Sequence, residues 1–450
     1  MLTVGYWRIS LYFKPPVLYS IAWILKHTGR GGNPGPVVRL PVAAQWKMSG
    51  IKSAMYVLFI QLEPDIDHMA PIAYRLAREH PGRVEMVCTN AVWDIDNDYR
   101  IKFLRAECGV RVDYIHKVFE GSFLPLRIMR CLLRLPGLIL RLVPDAAWKA
   151  FYFRITGRVI RPAAAGNHFQ AVNARCIIVD EAQPKDNLSA IHAAAQSLDV
   201  PVVMIQTANG VLKKKEGSGP ISFTGADYMI LPNNLASWYR VDAPGIRILG
   251  CMRYCAGWQE TNSRLVERAY PGKELPDEPG KLKVLILGRF TKNFLKNHDT
   301  VRRVAGLRFV SCIFKSRPRV LAPRKVYELN DFNIYPSARL IQWADVVVCS
   351  ITSVALDVLY YGKTLIYAKY LAPDESATFE DFGACWMVNS EEELAQALAA
   401  IHQDRACRSY GSDEINRFFS HAIYAGNQHS EVLAGYVEFL DSTGRRNSCL

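Results

Sequence analysis

No uninterrupted apolar run in these 450 residues approaches the roughly 20 needed to cross a bilayer. The strongest N-terminal stretch, Val17 to Leu25, is short and lies between Lys14 and Lys26. The chain continues as Lys26-His27-Thr28-Gly29-Arg30-Gly31-Gly32, with no small-x-small cleavage site, so neither an anchor nor a secretory leader is expected. A disulfide framework is missing too: the 11 cysteines are odd in number, scattered, and set in apolar runs at Cys88, Cys176, Cys312 and Cys349. They read as buried thiols in a reducing compartment. Cys251 and Cys255 have no second pair at zinc-site spacing. Short-period repeats and low-complexity tracts are also lacking. Acidic residues are in deficit, 42 against 55 Lys and Arg, which leaves a net charge of +13 and favours nucleic acid, phosphorylated substrates or acidic lipid as partners.

Two Asp-x-Asp strings raise the question of a metal. Asp94-Ile95-Asp96-Asn97-Asp98 fails as a calcium loop, since Tyr99 stands where Gly is required and Arg105 where the bidentate Glu belongs. It reads, like Asp65-Ile66-Asp67, as helix-start carboxylates. No metal and no cofactor is expected.

What is present is a rhythm of short β-rich runs alternating with helical stretches. Seven strands are expected at Met55–Ile60, Val84–Thr89, Arg111–Ile115, Cys176–Asp180, Val202–Gln206, Tyr228–Leu231 and Ile246–Leu249. A Pro-, Gly- and charge-rich stretch, residues 271–280, reads as a linker. The rhythm then restarts at Val284–Leu287, Phe309–Phe314, Val346–Cys349, Leu365–Tyr367 and Trp386–Val388, followed by a helix from Glu391 to about Ile401. Continuous apolar strands separated by helices imply parallel sheets covered on both faces. The expected fold class is α/β with two Rossmann-like doubly wound domains, residues 53–270 and 281–450 with its C-terminal helices, preceded by a basic, aromatic arm over residues 1–52.

Ligands of open α/β sheets bind beyond the carboxyl ends of the strands. In Val346-Val347-Val348-Cys349-Ser350-Ile351-Thr352-Ser353 a strand runs into a hydroxyl-rich turn and a helix that ends near Tyr361, with Gly362 behind it. Ser350, Ser353 and Asp357 are spaced to share one helical face. Free N–H groups at such a turn suit a diphosphate, with Asp357 accepting from a ribose; the bland alternative is that Ser350 or Thr352 only caps the helix. Lys315, Arg317 and Arg319 alternate directly after another strand and would converge on phosphate oxygens, unless they form a solvated basic loop. Arg289, after the first strand of that half, is a weaker contributor.

With Ser-x-x-Ser after a strand, an acidic residue on the next helix and Gly362-Lys363 before a strand, the stretch from Lys315 to Tyr367 resembles the donor half of surface and capsular polysaccharide glycosyltransferases. It is also similar to CDP-glycerol glycerophosphotransferases and non-hydrolysing UDP-N-acetylglucosamine 2-epimerases. The resemblance is clearest over residues 281–400. It implies two domains facing across a cleft (GT-B type) and a nucleotide-diphosphate ligand. The chain departs from these families in having only Asp357 where many retaining members carry a Glu-x7-Glu pair, and Lys315-Ser316-Arg317-Pro318-Arg319 where the glycerophosphotransferases carry Lys-Pro-His-Pro-Arg.

Asp67-His68-Met69-Ala70-Pro71 resembles the Gly-His-x-x-Pro loop of inverting members, with the Gly replaced. The resemblance implies His68 as the base that takes the acceptor proton; Asp65 or Glu63 could do the same work or orient the ring. The alternative is that His68 merely opens a helix. Relatives often place His-Gly after the strand at 202–206; this chain has Asn209-Gly210, which can hydrogen-bond a sugar but supplies no base, so the choice falls between His68 and Glu181.

Residues 123–143 carry Arg127, Arg130, Arg134 and Arg141 within an arc of about 60°. From Ser122 to Arg161 there are eight Lys or Arg and one acidic residue, Asp145. This segment reads either as an interfacial helix on an anionic leaflet or as a sheet-packed helix with a basic stripe. No motif that reads nucleic acid accompanies it.

The expectation is a metal-independent glycosyltransferase in surface polysaccharide synthesis, cytoplasmic and peripheral on the inner face of the membrane. It would move a sugar from a nucleotide donor to a lipid-linked or glycan acceptor. A nucleotide-sugar 2-epimerase, a glycerophosphotransferase and a non-catalytic relative of the same fold are the alternatives.

Overall fold

The twelve apolar runs form twelve strands. A computed structural model describes residues 54–443 apart from 62, 91–93, 120–159, 182, 207–224, 234–244, 271–274, 289–293, 317–334 and 429. The first sheet comprises β1 (Met55–Ile60), β2 (Val84–Cys88), β3 (Arg111–Tyr114), β4 (Ala174–Asp180), β5 (Val202–Ile205), β6 (Tyr228–Leu231) and β7 (Ile246–Ile248). The second comprises β8 (Leu282–Gly288), β9 (Val310–Ser316), β10 (Val346–Cys349), β11 (Thr364–Ala368) and β12 (Trp386–Val388).

Strand order is β3-β2-β1-β4-β5-β6-β7 in the first sheet and β12-β11-β10-β8-β9 in the second, with every pairing parallel. The order reverses between β1 and β4, and again between β8 and β10. Those two points are where loops diverge and a ligand crevice opens in such sheets.

Both faces of each sheet are covered, which is why the strands read as unbroken apolar runs. Tyr56, Leu58 and Ile60 enter one core while Met55, Val57 and Phe59 enter another. In the second sheet Val347 and Cys349 face one core, Val346 and Val348 the other.

The helices that matter for the site are α1 (Glu63–Glu79), α2 (Tyr99–Glu107), α3 (Ala256–Ala269), α4 (Ala355–Tyr360), α5 (Glu391–Gln403) and α6 (Val432–Thr443). Both sheets belong to one compact unit. Two segments carry core residues of both. In Cys251–Cys255, which spans a 3-10 turn, Met252 and Cys255 join the first core while Cys251 and Tyr254 join the second. In the π-helical turn Phe419–Ile423, Phe419, Ala422 and Ile423 belong to the second core. After an eight-residue connection, α6 places Val432, Leu433, Tyr436, Val437 and Leu440 in the first. The C-terminal helix, expected within the domain at 281–450, therefore packs on the first sheet's side, beside α1.

The two crossings are tied together. Cys251 N–H donates to the Ile423 carbonyl at 2.6 Å, the Tyr424 hydroxyl to the Tyr254 carbonyl at 3.2 Å, and the Tyr436 hydroxyl to the Gly250 carbonyl at 2.9 Å.

Candidate functional site

The loop after β1 turns at once into α1, and Asp65 closes that turn by accepting a hydrogen bond from Gln61 N–H at 2.8 Å. One helical position beyond Ile66, Asp67 reaches the other way. Its Oδ1 pairs with the Arg100 guanidinium of α2 and its Oδ2 lies 3.2 Å from Arg253 Nη1. Arg253 sits in the 3-10 turn at the first crossing, and its Nη2 binds Asp357 Oδ2 on α4 at 2.5 Å. Arg100 is held in turn by Asp98, 2.7 Å away, whose carboxylate also caps α2 by accepting from Arg100 N–H.

The result is a largely buried chain of alternating charge, Asp98–Arg100–Asp67–Arg253–Asp357, in which the Asp67 side chain keeps 30% exposure. It joins the helix after β1 to the helix after β10. One guanidinium thereby brings together the loops at both points of strand-order reversal.

Electrostatics within this chain follow from burial and neighbours. Burial pushes the Asp67 carboxyl up, but Arg253 and Arg100 outweigh it and hold it below the ordinary carboxylate value. At Asp357 burial wins: despite Arg253, and helped by the nearby Asp67 charge, the carboxyl is pushed up to about 6. His68, next to Asp67, goes the other way, since burial and then Arg253 bring the imidazole down to about 3 against a partial offset from Asp67. At neutral pH the ring is uncharged.

Beyond β1, β2 and β4 lies a cluster of buried neutral side chains. Thr89 N–H donates to the Ile60 carbonyl at 2.9 Å, and its hydroxyl lies 3.5 Å from Gln183 Oε1. Gln61 Oε1, His68 Nδ1 and Gln183 Nε2 are buried without a hydrogen-bond partner among the described residues. Glu181, directly after β4, is half-buried, and its N–H donates to the Ile205 carbonyl at 3.1 Å.

On the second sheet several sequence expectations change. β9 runs on through Ser316, so Lys315 lies inside the strand opposite Leu287, and its buried Nζ donates to the Tyr335 carbonyl. It does not lead a loop of alternating cations. Arg317, Arg319 and Arg289 lie outside the described residues, as do Asn209 and Gly210.

The helix after β10 begins at Ala355, not at Ser350, so the shared helical face expected for Ser350, Ser353 and Asp357 does not form. Instead Thr352 Oγ1 accepts from Val354 N–H at 3.3 Å within the turn, and the N-cap position falls to Val354 with no side-chain cap bond, so neither Ser350 nor Thr352 caps this helix. Ser350 is buried at the bend itself. Asp357, expected to meet a ribose, has its carboxylate on Arg253 instead. As the spacing implied, Gly362 closes this helix at φ +64°.

Asp94, Asp96 and Asp98 start helical turns, with Asp96 paired to Arg105 at 2.6 Å. Among the described residues no cluster of three potential metal ligands occurs. Cys251 and Cys255 are buried thiols outside any disulfide, each raised to about 12 by burial. Among the described residues no helix is long and apolar enough to cross a membrane. The basic segment of residues 122–161 lies outside them up to residue 159, as do residues 1–53.

Arg253 and Arg100 were not legible as site residues. Arg253 stands alone between Met252 and Tyr254, and nothing in its spacing points to partners 186 positions before it or 104 positions after it; only the three-dimensional meeting reveals them.

No family model matches the chain, and no curated protein does. Solved structures do match. A UDP-GlcNAc 2-epimerase from Neisseria meningitidis, bound to UDP-GlcNAc, is 11% identical at a TM-score of 0.51, over 87% of this chain and 100% of that one. A UDP-GlcNAc 2-epimerase from Methanocaldococcus jannaschii is 13% identical at a TM-score of 0.52, over 85% and 99%. A calicheamicin glycosyltransferase is 13% identical at a TM-score of 0.49, over 88% and 99%. At such identities the likeness to the two epimerases, each above a TM-score of 0.5, shows the fold alone: two Rossmann-like domains of GT-B type.

Proposed function

We propose that the protein is an enzyme acting on a nucleotide-diphosphate sugar, and that its reaction is transfer of the sugar to an acceptor hydroxyl. The observation that carries this reading is the single guanidinium of Arg253, bound by Asp67 after β1 and by Asp357 after β10, which draws the two strand-order reversals toward one locus. Strand-order reversals are where such sheets open a crevice, and a 2-epimerase of this fold is bound to UDP-GlcNAc, a ligand with a phosphorylated end and a carbohydrate end.

In this reaction the acceptor hydroxyl oxygen attacks the anomeric carbon, the bond from that carbon to the diphosphate oxygen breaks, and the hydroxyl proton passes to a base. Of His68, Asp65 and Glu181, the last suits the role best. Asp65 is buried under the Gln61 turn, and an imidazole at about 3 has little affinity for a proton at neutral pH. The departing diphosphate would sit at the bend of Ser350 and Ser353, with Arg289, Arg317 and Arg319 as its cations. A lipid-linked or membrane-associated glycan as acceptor, and a cytoplasmic place on the inner face of the membrane, rest on the basic segment 122–161 of the sequence.

Epimerisation of the same kind of nucleotide sugar is a second reading, favoured by the shared fold with two 2-epimerases. A thermal-shift screen against UDP-, CDP-, GDP- and CMP-sugars tests the common core. A rise in midpoint is expected with at least one nucleotide diphosphate sugar, and no rise with any would sink the proposal. Incubating UDP-GlcNAc with the protein alone then separates the readings: a new epimer by NMR favours the second, an unchanged sugar the first.

A further inference from the structure

The buried neutral cluster at the carboxyl ends of β1, β2 and β4 is not explained by folding. Gln61 and His68 are 2% exposed, Gln183 4% and Thr89 1%. Gln61 Oε1, His68 Nδ1 and Gln183 Nε2 nevertheless lack a hydrogen-bond partner among the described residues. An unmet buried polar atom is destabilising, and Leu, Met or Phe at these places would remove the cost.

Gln61 and Gln183 are linked through Thr89, and His68 follows Gln61 in the first turns of α1. Thr89 joins the Ile60 carbonyl, next to Gln61, to the Gln183 amide, and the Asp65 carboxylate ties Gln61 N–H to the first turn of α1, one turn before His68. The patch adjoins the reversal of strand order between β1 and β4.

We propose that Gln61, Thr89, Gln183 and His68 form the wall that binds an uncharged sugar through its hydroxyls, with His68 serving as a neutral hydrogen-bond partner and not as the base. This deepens the nucleotide-sugar reading and rests on it. A hydroxyl both donates and accepts, so one sugar ring satisfies a carbonyl oxygen, an amide N–H and an imidazole nitrogen together. A phosphate or carboxylate only accepts, and would leave Gln61 Oε1 unmet.

Charge points the same way. Asp65, Asp67, Asp180 and Glu181 all lie on α1 or at the end of β4, beside the patch. The nearby cations, Arg100 and Arg253, are already paired with Asp98, Asp67 and Asp357. An anionic ring would meet net negative charge in a poorly hydrated place. The low proton affinity of His68 agrees with a ring that stays neutral.

The test is saturation-transfer NMR on the full chain with two sets of probes. One holds the methyl glycosides of glucose, galactose, mannose and N-acetylglucosamine; the other holds glucuronate and glucose 6-phosphate. Transfer is expected to at least one neutral glycoside and to neither anion. Gln183→Leu and Gln61→Leu should each weaken it about five- to tenfold, the worth of one hydrogen bond. The unfolding midpoint of Gln61→Leu should hold or rise, because its Oε1 has no partner to lose among the described residues. Gln183→Leu gives up only the long 3.5 Å contact from the Thr89 hydroxyl, which keeps the Ile60 carbonyl, so its midpoint should change little. Gln183→Met, equal in length, is the second variant should a leucine variant fail to fold.

Adding UDP-GlcNAc distinguishes the source of the sugar: displacement of the glycoside marks the donor's own ring, and simultaneous binding marks an acceptor. Equal transfer to the anions, unchanged transfer in the variants, or no transfer to any neutral glycoside overturns the proposal. A midpoint shift with UDP alone is read in parallel. If that shift is present while the glycosides fail, only the sugar wall falls; if it is absent, the nucleotide reading falls.

Discussion

A guanidinium flanked by two carboxylates in a buried place is costly to disturb in one direction and cheap in another. Replacing Arg253 by Met leaves Asp67 and Asp357 without their shared cation, and a broken buried pair of this kind costs about 3–5 kcal/mol. We expect Arg253→Met to lower stability by that amount in urea unfolding, and the triple variant Arg253→Met, Asp67→Asn, Asp357→Asn to recover most of it. A loss below about 1 kcal/mol, the usual worth of an exposed pair, would show that the charges are not buried in solution.

The same residues set a pH signature. Asp357 is raised from 3.8 to about 6, so between those values the native state holds a proton that the unfolded chain has released, and stability falls as pH rises. His68 is lowered from 6.5 to about 3, so over most of that window the unfolded chain holds the extra proton, and stability rises with pH. The two slopes, each about 1.4 kcal/mol per pH unit, oppose each other between pH 4 and 6. The parent profile should therefore be nearly flat there, Asp357→Asn should leave a rise of stability with pH, and His68→Gln should leave a fall. Identical profiles for both variants and the parent protein would refute the assigned shifts.

At the level of elements, the strands were readable because a parallel sheet covered on both faces needs apolar side chains at every position, not at alternate ones. β1, β6, β10 and β12 begin and end where the apolar runs do. β9 outran its run by taking Lys315 and Ser316 into the ladder, since strand pairing with Leu287 and Gly288 satisfies their backbone whatever the side chain. The helix after β10 started late because Thr352 spends its hydroxyl on a local turn.

The destination of α6 could not be read. Its apolar face fits any covered sheet, and what sends it back to the first is Gly250 at φ +87°, where a Cβ would lie 3.0 Å from Val432 Cγ2 and 3.1 Å from the Ile423 carbonyl. Asp441 then pins its far end to Tyr56, His80 and Arg175. Leu440 is fully buried against the first core, so Leu440→Ala should cost about 3 kcal/mol, measured by thermal or urea unfolding. A cost near zero would mean that α6 is undocked in solution.

For the whole molecule, the net charge of +13 and the arginine spacing in residues 123–143 lead to a prediction on membranes. The protein should co-sediment with phosphatidylglycerol vesicles at low salt and not with phosphatidylcholine vesicles. Neutralising Arg127, Arg130, Arg134 and Arg141 to Gln should release it, and retention by the quadruple variant would remove the membrane reading.

The sequence by itself determined the fold class, the twelve strands, the glycine that ends the helix after β10 and the neighbourhood in which a ligand would be sought. These depend on local periodicity and on which side chains tolerate burial, and both are written in consecutive residues. Tertiary structure alone decided that Arg253 joins Asp67 to Asp357, that His68 is uncharged and closed in, and that the last helix returns to the first sheet. Each of those arises from groups meeting across scores to hundreds of positions, where desolvation and opposite charge act through space and leave no trace in spacing.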